Sequence, residues 1–311
     1  MLSKQDAVVA TLSSLLAEKN QTYRLRERSG KKTVQIGAGM FQSLFKGRGL
    51  EFAEVREYKP GDDVRLIDWR LSAKYHKTFT KIFHEEREHS VCFLLDESRS
   101  MHFATRQAFK SVLAAHVTAF LSWAFQEENN RIGGVLLTEK NLTSFKPSRY
   151  RRNLMHFLEA VCLGTQPTLQ SQTSPKAPSF AQACAMLQRM CKHGHIVFVI
   201  SDFSQLDEAS VASLGTLAKT NELICIHVFD VLEKKAPPPA MYRVTNGKDV
   251  LVLNTQSTKA QEAYTNFFEK SRRLIKNLQN KYRMLYIPIS TDQDAISTVI
   301  QALQEKQSHE R

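Results

Sequence analysis

From about residue 90 onward, short apolar runs alternate with amphipathic helical patterns, and this alternation constrains the fold more than any other feature. Strand-like runs are predicted at residues 89–95, 131–137, 195–200, 221–229, 250–253 and 284–288. Helices are predicted at about residues 104–126, 152–161, 179–190, 208–218, 264–278 and 293–304. Continuous apolar strands connected by helices are typical of a mainly parallel sheet covered on both faces. We therefore predict a doubly wound, Rossmann-like α/β domain over residues 89–311, with residues 141–146 forming a hairpin partner of the second strand.

The first 88 residues follow a different pattern. A helix is predicted over about residues 5–18, and the segment after it is polar and rich in glycine. Residues 78–83 alternate between apolar and polar side chains, as in a half-buried strand. We therefore predict that residues 1–88 form a separate module, an N-terminal helix plus a small β-rich part.

The composition is that of an ordinary globular protein with a surplus of basic residues. Lys and Arg number 43 against 31 Asp and Glu, so the net charge is +12. The five cysteines include no C-x-x-C pair, and we interpret them as free thiols in a reducing compartment. The N-terminus lacks the apolar core of a signal peptide, and the weakly polar stretch 111–125 is too short to span a bilayer. These features predict a cytoplasmic protein without a transmembrane segment.

The strongest local signal for a binding site follows the first strand of the α/β pattern. Asp96, Ser98 and Ser100 form a D-x-S-x-S sequence directly after the apolar run that ends at Leu95. In an extended segment these alternate side chains point to one side, and open α/β sheets bind ligands at the carboxyl ends of their strands. Hard oxygen donors of this kind suit Mg²⁺ or Mn²⁺. The sequence therefore predicts a divalent-metal site at this edge of the sheet.

A second acidic residue occupies the corresponding position on another strand. Asp202 follows the apolar run at residues 195–200. If the two strands are parallel neighbours, Asp202 lies beside Asp96 and adds a second carboxylate to the metal site. The alternative is that Asp202 caps a turn or a helix.

These residues resemble the metal-ion-dependent adhesion site of the von Willebrand factor A domain. In that family the D-x-S-x-S hydroxyls bind the metal, a Thr and an Asp from two further loops complete its coordination, and a carboxylate of the partner often takes the last position. Other motifs resemble the bacterial family called domain of unknown function 58, over roughly residues 35–305. They lie at residues 47–52, 56–58, 61–69, 86–88, 201–203, 227–233, 242–247 and 291–292.

The resemblance implies a non-enzymatic, metal-ion-dependent protein-interaction module of the von Willebrand factor A type. It also implies a partner, a MoxR-type AAA+ ATPase, for which this protein would act as an adaptor or co-chaperone toward an unknown client protein. The metal ligands would be Asp96, Ser98, Ser100 and Asp202.

The sequence departs from the adhesion-site pattern at the second loop. No Gly-Gly-Thr precedes the helix before Asp202, and Ser179 is the best positional candidate because it opens that helix with a hydroxyl. Its alternative role is a helix N-cap, and Thr165 is the second candidate. Without this ligand the metal would bind weakly or be absent.

Two alternatives from other functional classes stay open. Basic residues such as Arg149, Arg151 and Arg152 favour a protein that binds nucleic acid or an anionic surface, although we find no aromatic residues interleaved with them as a stacking platform requires. A metal-dependent enzyme is disfavoured because no general base is evident. No phosphate-binding glycine loop or catalytic triad is present, and we interpret His193 and His195 as part of a turn that lacks further metal ligands.

The motif at residues 61–69 carries its own structural expectations. Gly61 is expected to lie in a tight turn. Arg65 and Asp68 are expected to pair across a strand edge beside a buried Trp69, as part of an ion-pair network. A binding face for a partner is the alternative for this motif.

Overall fold

The computed structural model describes residues 7–24, 50–85, 90–105, 107–167, 177–234, 237–245 and 250–309. Several predicted features lie wholly or partly outside the described residues, namely the start of the first helix and the motifs at 47–52, 86–88 and 242–247. The chain divides into two compact units, one formed by residues 1–41 and 89–311 and the other by residues 42–88.

The described strands and helices are numbered here in chain order. The strands are β1 (Leu50–Glu57), β2 (Phe79–Glu85), β3 (Ser90–Glu97), β4 (Arg131–Thr138), β5 (Leu142–Ser148), β6 (Ile196–Ser201), β7 (Glu222–Phe229), β8 (Met241–Thr245), β9 (Val250–Asn254) and β10 (Leu285–Ser290). The α-helices are α1 (Leu12–Ala17), α2 (Trp69–Tyr75), α3 (Lys110–Gln126), α4 (Arg151–Gly164), α5 (Phe180–Met190), α6 (Glu208–Thr220), α7 (Val231–Lys234), α8 (Thr258–Tyr282) and α9 (Ala295–His309). Almost every element predicted from periodicity is therefore present, although some ends are shifted by six or seven residues, as where α1 begins at Leu12 instead of about residue 5.

A six-stranded sheet in the order β10-β7-β6-β3-β4-β5 forms the centre of the larger unit. All neighbouring strands are parallel except β5, which runs antiparallel to β4. This confirms both the mainly parallel α/β sheet and the hairpin. Side chains of β3 alternate between two apolar cores, with Phe93 packing in one and Leu94 in the other. The sheet is thus covered on both faces, as its continuous apolar strands require.

Helix α3 begins later than periodicity predicts, at Lys110 instead of about residue 104. The preceding segment is held away from the helix because the backbone N–H and hydroxyl of Thr105 both donate to Asp230, just after β7. Phe109 then occupies the N-cap position with an extended backbone. This late start places the Lys110 side chain at the carboxyl edge of the sheet.

The N-terminal helix α1 belongs to the larger unit and packs against α3. Leu15 is fully buried in the core there, and the indole N–H of Trp123 donates to the backbone oxygen of Leu15. Helix α3 is buried almost all round, so it needs an apolar cover on the side that α1 occupies.

In the smaller unit, β1 and β2 form an antiparallel pair, and Gly61 lies in a turn with a φ of +108°. The strand and the tight turn are therefore confirmed, but the expected burial of Trp69 is wrong, because this side chain is 70% exposed. Asp68 caps α2 by accepting a hydrogen bond from the backbone N–H of Leu71. Trp69 is thereby the first residue of a short helix, and its side chain is exposed to solvent.

None of the helices in the described part of the chain has the length and apolar character needed to cross a membrane.

Candidate metal centre

The candidate metal centre lies where β3 and β6 end side by side. These strands are parallel neighbours in which Leu95 pairs with Ile200. Asp96 and Asp202 therefore reach the same edge of the sheet, and both are buried. The strand-end argument thus places the two carboxylates together, as expected for parallel neighbours.

The D-x-S-x-S segment converges through a turn and not through extended backbone. Asp96 Oδ1 accepts a hydrogen bond of 2.9 Å from the backbone N–H of Ser98, and the chain then enters a short 3₁₀ helix at Arg99–Met101. The Oγ atoms of Ser98 and Ser100 are 3.3 Å apart. The predicted grouping of these hydroxyls is present, but a local carboxylate–backbone bond creates it.

A third hydroxyl, which sequence reasoning missed, extends this group. Ser204 Oγ donates to Ser100 Oγ over 3.1 Å, while the backbone N–H of Ser204 donates to Asp202 Oδ1 over 2.9 Å. The latter bond repeats the one between Ser98 and Asp96. A D-x-S pattern follows both strands, and this repeat is the signal in the sequence that could have identified Ser204.

Asp202 is paired with a buried lysine. Lys110 Nζ donates to Asp202 Oδ2 over 2.8 Å and also to Glu233. The side chains of Lys110 and Asp202 are 0% and 4% exposed, whereas Glu233 is partly exposed at 29%. Neither Lys110 nor Glu233 was predicted as part of the site. Lys110 places a positive charge beside one of the two central carboxylates, and Glu233 helps to hold the Lys110 side chain there.

The two central carboxylates, Asp96 and Asp202, consequently differ in how far a neighbouring cation offsets their negative charge. Burial, and then repulsion from Asp202, raises the pKa of Asp96 to about 6. Burial would raise the pKa of Asp202 as well, but Lys110 and hydrogen bonds from Ser204 outweigh it and lower that pKa. Asp96, in contrast, accepts hydrogen bonds from neutral donors, the Ser98 N–H and the Ser201 hydroxyl. Asp96 is therefore the carboxylate at which an added cation would relieve the most repulsion.

Glu97, the residue after Asp96, is a third buried carboxyl group close to this edge of the sheet. Its side chain is fully buried and has no hydrogen-bond partner in the part of the chain that the structure describes. Burial, and then the charge of Asp96, raises the pKa of Glu97 well above its ordinary value. The protonated form of this carboxyl group is therefore favoured in the folded protein.

The two second-loop candidates, Ser179 and Thr165, serve the local structure. Ser179 caps α5, with its Oγ accepting from the N–H of Gln182 and its own N–H bonded to the Gln182 side chain. Thr165 Oγ1 donates to the backbone oxygen of Cys162 and accepts from the N–H of Ala10. Within the described residues, no hydrogen bond joins either hydroxyl to the Asp96 cluster. Ser204 is the additional hydroxyl that the structure brings there.

The donor set fits a hard divalent cation. Three neighbouring hydroxyls, those of Ser98, Ser100 and Ser204, lie in a hydrogen-bonded row. In the described part of the chain, the Asp96 carboxylate has no ionic partner comparable to Lys110. Such oxygen ligands are those preferred by Mg²⁺, which also retains waters or open positions.

A family model described as "Protein of unknown function DUF58" matches residues 54–274, more than half of the chain. The chain belongs to the DUF58 family. This DUF58 protein is 28% identical over 195 residues to uncharacterized proteins of Mycobacterium bovis and Mycobacterium tuberculosis. The match covers 62% of this chain and 59% of each relative, so the chain spans less than two thirds of the relatives' length.

Solved structures with detectable similarity to this DUF58 protein include BatB from Bacteroides thetaiotaomicron, with 16% identity and a TM-score of 0.43. That match covers 71% of this chain and 99% of BatB. A von Willebrand factor type A protein from Catenulispora acidiphila shows 11% identity and a TM-score of 0.34, covering 74% of this chain and 44% of that protein.

Proposed function

We propose that this DUF58 protein is a non-enzymatic protein-interaction module that holds Mg²⁺ or Mn²⁺ at the carboxyl edge of its sheet. The observation that carries the proposal is a hydrogen-bonded row of three hydroxyls, those of Ser98, Ser100 and Ser204, that begins beside Asp96. Among the residues that the structure describes, Asp96 has no ionic partner comparable to Lys110. Asp96, Ser98, Ser100 and Ser204 would hold the ion. When bound, the ion supplies an open coordination position that accepts a carboxylate of another protein.

In this proposal Asp202 acts differently from the four residues that hold the ion. Its carboxylate adds negative charge beside the ion, while Lys110 and Glu233 hold its position. Because Lys110 offsets part of the charge, the site attracts a divalent ion less strongly than two uncompensated carboxylates would. Weak binding that a partner's carboxylate completes is the expected behaviour.

The partner that we propose is a MoxR-type AAA+ ATPase, with this protein as its adaptor or co-chaperone toward a client. Family resemblance supports this part of the proposal. The position of the site at an edge of the sheet, with Ser100 partly exposed, is compatible with access by another protein.

Metal binding can be tested by measuring the melting temperature with and without Mg²⁺ or Mn²⁺. We expect stabilisation of the wild type and none of Asp96→Asn, which removes the charge but keeps the shape. Ser179→Ala is the matched control, because it removes a hydroxyl outside the cluster and should keep the metal response. If the wild type shows no response, the metal proposal is wrong.

Partner binding requires a separate design, since an AAA+ ATPase itself uses Mg²⁺ with its nucleotide and a chelator would affect both proteins. Capture of the purified ATPase by wild type, Asp96→Asn and Ser179→Ala at constant Mg²⁺ changes only the adaptor. We expect Asp96→Asn alone to lose the ATPase. Equal capture by all three proteins would show that the interaction does not use the metal site.

One observation favours the alternative of nucleic-acid binding. Tyr150 lies between Arg149 and Arg151 and is 77% exposed, so an aromatic ring does interleave with basic residues here, contrary to expectation. Such a ring could stack on a base of single-stranded RNA. Anisotropy titrations with an RNA oligonucleotide at two salt concentrations test this function, which predicts salt-sensitive binding that weakens in Tyr150→Ala.

A further inference from the structure

A second group of potential metal ligands lies at the opposite end of the same two strands. Cys92 is near the beginning of β3, and His195 immediately precedes β6. Cys191 occupies the C-cap position of α5. Their ligand atoms, two Sγ and one imidazole nitrogen, all lie within 4.8 Å of one another. The interpretation that His195 lacks further metal ligands is therefore wrong.

The local backbone explains how this cluster forms. Gly194 has a φ of +73°, a left-handed conformation that turns the chain between Cys191 and His195. The backbone of His195 is held on both sides, because its N–H donates to Asn221 Oδ1 and its oxygen accepts from the N–H of Glu222. The imidazole Nδ1 consequently lies 3.5 Å from Cys92 Sγ, across neighbouring strands.

The geometry points to a site for a thiophilic metal ion, which we assign to Zn²⁺, bound by Cys92, Cys191 and His195. Zn²⁺ takes thiolate and imidazole ligands in tetrahedral coordination, in which ligand atoms lie about 3–4 Å apart, consistent with the observed grouping. Soft sulfur donors disfavour Mg²⁺ and Ca²⁺. Three protein ligands leave one position for water or another molecule.

Burial and exposure within the cluster suit metal capture. Cys92 is 0% exposed and Cys191 is 2% exposed, so the thiols are shielded from bulk solvent, whereas His195 is only half-buried and offers a route from solvent. All five cysteines are free thiols. No disulfide therefore withholds either sulfur ligand from a metal ion.

Co²⁺ is a spectroscopic probe of such a site, because thiolate ligation produces charge-transfer absorption in the near ultraviolet. The experiment titrates the reduced, tag-free full chain with Co²⁺ and then displaces the ion with Zn²⁺. We expect a stoichiometric absorption band that Zn²⁺ removes. In Cys191→Ser and in His195→Asn the Co²⁺ affinity should fall by about 100-fold or more, since loss of even an outer-shell partner costs about 10–100-fold.

Cys162→Ser is the matched control, because Cys162 lies outside the cluster and the variant should keep the wild-type band. If Cys191→Ser fails to fold, His195→Asn still tests the site. His195 is only half-buried, so its replacement is expected to disturb the core less than replacement of a buried cysteine. Absence of the band in the wild type would overturn the assignment, as would its persistence in both cluster variants. A Cys92–Cys191 disulfide formed with mild oxidant, in a protein whose reduced form binds no Co²⁺, would instead identify a redox pair.

Discussion

Strands β3 and β6 carry a polar cluster at each end, and the two clusters differ in chemistry. At the carboxyl edge, Asp96 and Asp202 contribute hard oxygen atoms, and a buried ammonium group compensates one of them. At the amino end, Cys92 and His195 contribute soft sulfur and nitrogen atoms. Along β3, Cys92 and Asp96 are four residues apart, about 13 Å at the rise of a strand. One pair of strands can therefore present two sites with opposite metal preferences.

Among the variants that distinguish the two ends, Lys110→Met is expected to cause the largest loss of stability. Removing the ammonium group leaves Asp202 buried beside Asp96 without its cation, which should lower the free energy of unfolding by about 3–5 kcal/mol. Chemical denaturation in metal-free buffer measures this loss. The double variant Lys110→Met with Asp202→Asn should recover much of it, because the unpaired charge is gone. A loss below about 1 kcal/mol would be typical of an exposed ion pair and contradict this interpretation.

A second difference between the ends concerns pH. His227 lies in register with Ser201 near the carboxyl edge, and its ring packs against Phe203, Phe229 and Phe268. Burial lowers the pKa of His227 to about 4, against about 6.5 in an unfolded chain. Between these pH values the unfolded chain binds a proton that the folded protein does not. The contribution of His227 alone should therefore lower the stability by about 3 kcal/mol as the pH drops from 6.5 to 4.

The variant His227→Phe isolates this effect from other titrating groups, including Asp96, whose raised pKa acts in the opposite direction. The difference in unfolding free energy between wild type and His227→Phe should narrow or reverse as the pH falls through this range. Ser179→Ala, which removes no titrating group, should keep the wild-type pH dependence. A pH-independent difference between wild type and His227→Phe would show that His227 does not titrate in this range.

The third experiment measures the response to each of the two proposed metals in one variant of each end. Asp96→Asn should lose the Mg²⁺ response and keep Co²⁺ binding, while Cys191→Ser should show the converse. At a metal concentration 100 times the Kd, bound metal stabilises a protein by about 2.7 kcal/mol, which thermal melting detects. If one variant abolishes both responses, the two ends are not independent sites.

The smallest expected effect comes from Ser179→Ala. Loss of the N-cap of α5 should lower the free energy of unfolding by about 1 kcal/mol. Because the Ser179 hydroxyl bonds to Gln182, the Mg²⁺ affinity should be unchanged. An affinity loss of tenfold or more would instead identify Ser179 as the second-loop ligand.

The carboxyl-edge site could be predicted in part because its position follows from strand ends. Asp96 and Asp202 are each preceded by an apolar run, and parallel neighbours bring such residues together. Lys110 could not be predicted in the same way. Its burial depends on where α3 begins, and a tertiary contact between Thr105 and Asp230 sets that start.

The amino-end cluster was missed for a different physical reason. Cys92 and Cys191 are separated by 99 positions in the chain, and no short motif links them. Their proximity depends on β3 pairing with β6 and on the turn at Gly194. The burial of Trp69 was predicted wrongly because it also depends on the tertiary structure. Large apolar residues prefer the interior on average, but this preference does not determine which residue begins a short helix.

The chain contains two tryptophans, one in each compact unit. Trp123 is 1% exposed and Trp69 is 70% exposed. An aqueous collisional quencher should therefore dim the fluorescence of Trp69 while leaving that of Trp123 nearly intact. Because the Trp123 indole also donates to Leu15, its emission reports on the docking of the first helix. The unlabelled protein thus contains a separate optical probe for each of its units.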